Sequence, residues 1–271
     1  MNKSVRSEFD SVDSTSDPSD FVQYLDTTRA TDFFQEMKRR TFALMEVRAG
    51  QNVADIGCGT GEDVQALAVQ AGPSGRAVGV DISATMIATA KERSRNGNSN
   101  VEFVQGDVQK LPFDDACFDA IRAERLLQHT PDVDLALREI ARVVTPGGRI
   151  VSWEADLDLF IIDAADYHTS RIMQRLICDG FHNGSIGHQL YRRFLDRGFV
   201  EVQSTPLIQN FADFPLIETA FDLTASVERA VKQDLLQADR AMQWLDGLRS
   251  ASRSGHFMSA IGGFITFGRK A

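Results

Sequence analysis

The stretch Val53-Ala54-Asp55-Ile56-Gly57-Cys58-Gly59-Thr60-Gly61-Glu62 limits the possible folds more than any other part of the chain. An apolar run that ends in an acid and three alternating glycines predicts a strand, a tight turn and a helix, the kind of corner on which a nucleoside binds. Glycine lets backbone approach a ligand where a side chain would collide, and it allows positive φ in the turn. The spacing narrows the choice of nucleoside. A dinucleotide fingerprint needs its third glycine five positions after the first, and Glu62 stands there. No Gly-Lys-Ser/Thr follows, so a P-loop is excluded as well.

Three more loops follow apolar runs in order. Residues 77–80 end at Asp81, 20 positions beyond Gly61, close to where a nucleoside fold places the carboxylate that holds ribose hydroxyls. Both hydroxyls donate, so one carboxylate can grip the sugar at two points. Ser83 is placed to cap the next helix, with Met86 one turn in. A third run, 101–105, leads into Gly106-Asp107-Val108-Gln109-Lys110-Leu111-Pro112-Phe113, although an Asp after a strand is by itself commonly a turn residue. A fourth, 117–123, leads into Glu124-Arg125-Leu126-Leu127-Gln128-His129. Val133, Ala136, Leu137, Ile140 and Val144 then mark one face of a helix that Asp132 opens and Thr145-Pro146-Gly147-Gly148 closes, ahead of a fifth strand over 149–153.

As an ordered set these segments resemble class I S-adenosylmethionine-dependent methyltransferases. The D-x-G-x-G-x-G motif is matched from Asp55 to Gly61, G-D-x-x-x-L-P-F from Gly106 to Phe113, and a further motif from Phe118-Asp119 to His129. The phrase R-E-I-x-R-V-x-x-P-G-G, from Arg138 to Gly148, is similar to ubiquinone and menaquinone biosynthesis methyltransferases and their type 11 small-molecule relatives. The resemblance runs from about Tyr24 through Trp153. It implies an α/β fold: a Rossmann-like, seven-stranded, mostly parallel sheet with helices on both faces and a helical lid.

It also implies S-adenosylmethionine as cofactor, held by Asp55, Gly57, Cys58, Gly59, Thr60 and Gly61 around the first loop. Asp81 would bind the ribose, and Ile82 and Met86 would lie against the adenine, though Met86 serves equally as core filler. Beyond Gly106, Asp107 and the Val108 amide would meet the adenine edge. Ala123, Glu124 and Gln128 would line the methionine end, and Tyr24 would fold over the cofactor. His129 is the favoured candidate for a base, against its alternative as a cap on a short helix; Glu154, His168, His182 and His188 are the other candidates.

Outside these motifs the signal is weaker. Residues 1–17, rich in Ser and Asp, predict a mobile tail. Helices are expected from Asp17-Pro18-Ser19 and over 31–47, with 18–153 forming N-terminal helices and cofactor-binding core. Residues 154–271 would complete the sheet, with helical lid insertions at about 154–186 and 211–253, a helix over 187–198 and strands over 199–206 and 256–269. Phe160, Phe181, Phe211, Phe214 and Phe221 are placed to shape an acceptor pocket or to form the lid's own core. Asp156, Asp158 and Asp163 offer hard oxygen ligands, but acids in such a lobe read as solvated surface and no metal is expected.

The 271 residues suffice for a full core. A net charge of -9 argues against extended contact with a phosphate backbone, and the aromatic signature of nucleobase methylation is absent because Ala123-Glu124-Arg125-Leu126 fills its place. Cys58, Cys117 and Cys178 have no paired or metal-like spacing, which predicts a reducing cytoplasmic setting. No run reaches the length of a membrane helix. The expected partner is a small, partly apolar molecule, with neither nucleic acid nor membrane, for a monomer or homodimer. The alternative is a module that binds the cofactor, or uses the same fold, without methyl transfer.

Overall fold

The short apolar runs ahead of each glycine or acid become neighbouring strands in a computed structural model, which describes residues 9–15 and 17–271. The chain opens with α1 (Ser19–Arg29) and α2 (Asp32–Met45), then winds β1 (Asn52–Ile56), α3 (Glu62–Ala71), β2 (Arg76–Asp81), α4 (Ala84–Arg93) and β3 (Val101–Gln105). It returns through β4 (Phe118–Glu124), a 3-10 turn (Leu127–His129) and α5 (Val133–Val143) to β5 (Val144–Ile162). Then come α6 (Tyr167–Cys178), α7 (Ile186–Asp196), β6 (Phe199–Phe211), the helices α8 (Phe214–Phe221), α9 (Leu223–Lys232) and α10 (Ala238–Arg253), and β7 (Ser259–Lys270).

The sheet order is β3-β2-β1-β4-β5-β7-β6. Strands one to five pair in parallel, and β7 is antiparallel to both its neighbours. This agrees with the expected seven-stranded, mostly parallel sheet. The chain leaves β1 toward β2 on one side and later returns to β4 on the other. That reversal opens a crevice beyond the carboxyl ends of β1 and β4, where ligands of open α/β sheets bind.

Side-chain alternation divides the core between the two faces of the sheet. Ala54, Ile56, Val78 and Val80 pack with Val133, Leu137 and Ile140 of α5 and Leu190 and Phe194 of α7. On the other face Val53, Ala77 and Val151 meet Met37 and Met45 of α2, Val64 and Leu67 of α3, and Ile87 of α4. Ser83 caps α4 by accepting from the Met86 amide at 3.1 Å, and Asp132 caps α5 by accepting from Leu135 at 2.9 Å. A third core, around Phe160, Met173, Ile217, Trp244 and Leu248, binds α6, α8, α9 and α10 to the far end of β5.

Two sequence expectations are corrected. The segment 154–186 is not largely helical: β5 continues as strand to Ile162, and only Tyr167–Cys178 forms the helix α6. The reason is pairing, since β7 lies antiparallel to β5 from Arg149↔Arg269 to Ile162↔Ser259, and this ladder overrides the local preference of an acid-rich run. Residues 9–15 do not behave as a tail. They contain a 3-10 turn at Val12–Ser14, with Val12 buried against Phe21 and Met86. The remainder of that expected tail, 1–8 and 16, lies outside the described residues. Among the described residues no helix is long and apolar enough to cross a membrane.

Candidate functional site

A cavity of about 1010 Å³ opens at the crevice between β1 and β4. Its wall collects the loops that follow β1, β2, β3 and β4, so the sheet topology itself gathers the motifs. Tyr24, Asp55, Gly57, Cys58, Gly59, Thr60, Asp81, Ile82, Met86, Gly106, Asp107, Val108, Glu124, Gln128 and His129 all line it. Gly61 and Ala123 do not. Gly61 has φ +85° at the start of α3, and a Cβ there would come within 2.7 Å of Ala90 and Phe103, so its role is close packing of helix on sheet. Ala123 is wholly buried within β4.

The first loop is shaped as a cradle. Gly57 and Gly59 have φ of +78° and +52°, a region costly for residues with a side chain. A Cβ on Gly57 would press on Leu126 at 3.1 Å, and one on Gly59 on Leu25 at 3.0 Å. Asp81 holds the loop from the neighbouring strand. One of its oxygens accepts from the Gly59 amide at 2.8 Å, the other from Ser83 at 3.0 Å. Each carboxylate oxygen has two acceptor sites, so both can still receive a hydroxyl. Burial pushes the Asp81 carboxyl upward, partly offset by those amides. Asp107 is held by Gln109, whose amide donates to it at 2.8 Å, and the Gly106 amide donates to the Asp81 carbonyl at 2.9 Å. These features fit a nucleoside: glycine backbone permits close approach, and two acids, Asp81 and Asp107, offer acceptor oxygens in the lining.

Beneath the loop lies an ionic network that sequence reading missed. Arg122 on β4, 1% exposed, bonds Asp55 at 3.0 Å, Asp63 at 3.0 Å, Thr41 at 3.1 Å, and Glu124. Lys38 of α2 reaches Asp63 and, at 3.2 Å, Glu124. Burial acts to raise the Glu124 carboxyl, but Lys38 and Arg122 outweigh it and hold it below the ordinary range. The network ties α2 to β1, β4 and α3, and so fixes Phe33 and Phe34, both on α2 and both lining the cavity.

Glu154, fully buried on β5, does not line the cavity. It accepts from the amides of Leu126 (3.0 Å), Leu127 (2.9 Å) and Gln128 (3.3 Å), and so holds the turn after β4. Burial pushes its carboxyl up to about 7 against the pull of those amides. Its folded value lies above the ordinary 4.5, so between the two values the folded chain keeps a proton that the unfolded chain has released. Stability should therefore fall as pH rises from about 4.5 to 7, by a few kcal/mol in all. Thermal unfolding of the parent chain and Glu154→Gln across pH 5–8 checks this. The variant should show a flatter profile, and identical profiles would assign the dependence to other groups.

Among the base candidates only His129 reaches the cavity; His168, His182 and His188 are exposed residues outside its lining. His129 is packed between Phe9 and Phe181, with ring centroids at 5.2 and 5.6 Å, and burial pushes its pKa down to about 3. Its ring is thus neutral and a weak base, which counts against the expected catalytic role. Of the five singled-out phenylalanines, Phe181, Phe211 and Phe221 line the cavity, while Phe160 and Phe214 belong to the lid core. Phe160 backs the site by stacking on Phe221 at 4.2 Å.

Residues 9–15 also belong to the site. The Asp13 carboxylate accepts from Ser83 Oγ (2.6 Å) and from the amides of Ala84 (2.7 Å) and Thr85 (3.2 Å), capping α4 from outside. Asp10 meets His182 at 2.8 Å, and Phe9 and Asp10 line the cavity. Asp156, expected as solvated surface, is buried and bonds the His188 amide and ring at 2.7 and 2.6 Å, which caps α7.

The comparisons with known proteins agree with this geometry. A family model described as a methyltransferase domain matches residues 48–198. A 37.1 kDa protein of a Streptomyces fradiae transposon, itself uncharacterised, is 37% identical over 243 residues, spanning 89% of this chain and 69% of that one. The demethylmenaquinone methyltransferase of Staphylococcus carnosus is 39% identical over 117 residues, 43% of this chain and only about half (48%) of that enzyme. Among solved structures, the YcgJ protein of Bacillus subtilis shares the fold, with a TM-score of 0.59 at 22% identity over 87% of this chain and 98% of that one. The family match covers more than half of the chain and holds the glycine loop, Asp81, Asp107 and the turn after β4; the chain belongs to the methyltransferase-domain family and is built as a class I S-adenosylmethionine-dependent enzyme.

Proposed function

We propose that the protein methylates a small, partly apolar molecule at an oxygen, nitrogen or carbon atom, in the cytoplasm, as a monomer or homodimer and without nucleic acid. The observation that carries this is a single cavity with two unlike walls. One wall is the glycine loop with Asp81 and Asp107; the other is aromatic, with Phe34, Trp153, Phe181, Phe211 and Phe221. When bound, S-adenosylmethionine supplies an electrophilic methyl group on a sulfonium that is its own leaving group.

The chain's own residues then have to bind, orient and exclude water. In this reading Asp81 receives the two ribose hydroxyls, Asp107 and the Val108 amide receive the adenine edge, and Ile82 and Met86 flank the ring. Gly57, Gly59, Glu124 and Gln128 take the methionine end. The aromatic wall, closed by residues 9–15 and by α8, keeps water from the line between acceptor and methyl group. Holding two reactants in line contributes on the order of 7 to 11 kcal/mol, so no strong base is required, which accords with the neutral His129. The unpaired cysteines, with Cys58 and Cys178 buried, suit a reducing compartment.

The test is to incubate the protein with methyl-labelled S-adenosylmethionine and a small-molecule extract, and to follow the label by mass spectrometry. The expected result is label in an extract component together with S-adenosylhomocysteine. Binding of S-adenosylmethionine without any transfer to an extract that supports other methyltransferases would favour the module that binds without methylating.

A further inference from the structure

We propose that the methyl acceptor is an acid, a largely apolar ring-bearing molecule with a carboxylate or phenolate oxygen, and that Arg125 is the residue that selects it. The inference rests on the cavity being the shared site of cofactor and acceptor described above, and it adds the charge of the acceptor.

Arg125 follows β4 with φ +52°, an uncommon conformation for a residue with a side chain, and its amide donates to the Trp153 carbonyl at 2.9 Å. The side chain is only 14% exposed and lines the cavity. Its guanidinium carbon lies 4.5 Å from the centroid of the Phe34 ring and 6.0 Å from that of Tyr24. Stacking uses the flat face of the group and leaves its edge of N–H donors for another partner.

That partner is not supplied by the described residues. Among the described residues Arg125 has one ionic neighbour, Glu124, whose Oε1 lies 3.4 Å from Nε, and Glu124 Oε2 is already shared by Lys38 and Arg122. Among the described residues no hydrogen bond leaves the Arg125 guanidinium. A largely buried guanidinium therefore remains whose N–H donors meet no partner among the described residues.

Two more N–H donors share this condition. Among the described residues Trp153 Nε1 is buried without a partner, and its ring lies 5.8 Å from the same Phe34 ring that Arg125 covers. His129 Nε2 meets Gln128 Nε2 at 2.8 Å; an amide nitrogen only donates, so the ring proton is assigned to Nδ1, which is buried without a partner too. Unmet buried donors are costly, and these two, in the lining of the same cavity as a cation, call for a ligand that brings acceptor oxygens and negative charge. Glu218 Oε2, an unpartnered acceptor of the lining, suits a hydroxyl elsewhere on that molecule. The aromatic wall calls for the rest of the ligand to be apolar.

The test compares 2-naphthoate with its neutral counterpart 2-naphthamide by calorimetry, in the presence of saturating S-adenosylhomocysteine. The unaltered chain should bind the anion at least tenfold more tightly. Arg125→Gln and Arg125→Leu should lose that preference, Arg125→Lys should keep part of it, and all three should bind S-adenosylhomocysteine as the parent does, which also reports that they fold. Equal binding of the two probes by the unaltered chain, which needs no variant, would overturn the proposal. So would a preference that survives in Arg125→Gln, or a loss of S-adenosylhomocysteine affinity in the variants, which would move Arg125 to the cofactor. Failure of the unaltered chain to bind S-adenosylhomocysteine would overturn the cofactor reading and this proposal with it.

Discussion

Asp81→Ala should weaken binding of S-adenosylhomocysteine by a hundredfold or more. The side chain sits at the carboxyl end of β2 with one oxygen on Gly59 and the other on Ser83, and it lines the cavity. Hydrogen bonds to an ionised group are worth roughly 1.5–3 kcal/mol each, so losing two from the ribose hydroxyls costs about 3–6 kcal/mol, or roughly two to four powers of ten. The same change leaves the Gly59 and Ser83 amides unmet, so stability should fall too, by roughly 1–3 kcal/mol. Asp81→Asn separates the two effects. It keeps the shape and one acceptor, so one of the two amide bonds can survive, and stability should fall less than in Asp81→Ala while affinity still drops. Calorimetry gives the affinities and urea unfolding the stabilities; undiminished affinity in both variants would remove Asp81 from the nucleoside site.

The parts of this site that were legible in the sequence are those whose chemistry is local. Three glycines within five residues, an acid ending a strand and a serine ahead of a helix each state their requirement within a few positions, and their order along the chain supplied the rest. The sheet then brings those loops together because parallel strands all present their carboxyl ends at one rim. Contacts between distant positions left no such trace. Lys38 and Glu124 are 86 residues apart, Arg122 and Asp55 are 67, and Asp13 and Ser83 are 70; nothing in the local pattern of any of them announces the partner. The extension of β5 was hidden for the same reason. Glu154-Ala155-Asp156-Leu157 carries acids that read as solvated, yet Asp156 is buried because the His188 amide and ring are there to meet it. Gly61 shows the converse, a position that fits the motif but serves packing against Phe103 and Ala90.

The longest reach of that hidden chemistry is through Arg122, and its removal should have the largest effect on stability. Arg122→Met has a similar reach and no charge. It would leave the buried Asp55 without an ionic partner among the described residues, and Glu124 and Asp63 to Lys38, with Arg125 at the edge of Glu124. Breaking a buried pair by removing one partner costs about 3–5 kcal/mol, because the orphaned charge keeps its desolvation cost and loses its compensation. For a chain of this size that lowers the melting temperature by about 10 °C. The sign of the pH dependence is fixed by the same logic. Without Arg122 the Asp55 carboxyl, already raised by burial, rises further, and Glu124 loses part of what holds it low, so the folded variant binds protons more tightly than the folded parent does and the deficit should be larger at pH 8 than at pH 5. Arg122→Met combined with Asp55→Asn removes one orphan and should recover a good part of the loss. Urea unfolding of the parent and the two variants at both pH values measures all of this. A deficit below about 1 kcal/mol, equal at the two pH values, would mean that α2 docks by its apolar face alone and that the charges beneath the glycine loop do not hold the site in shape.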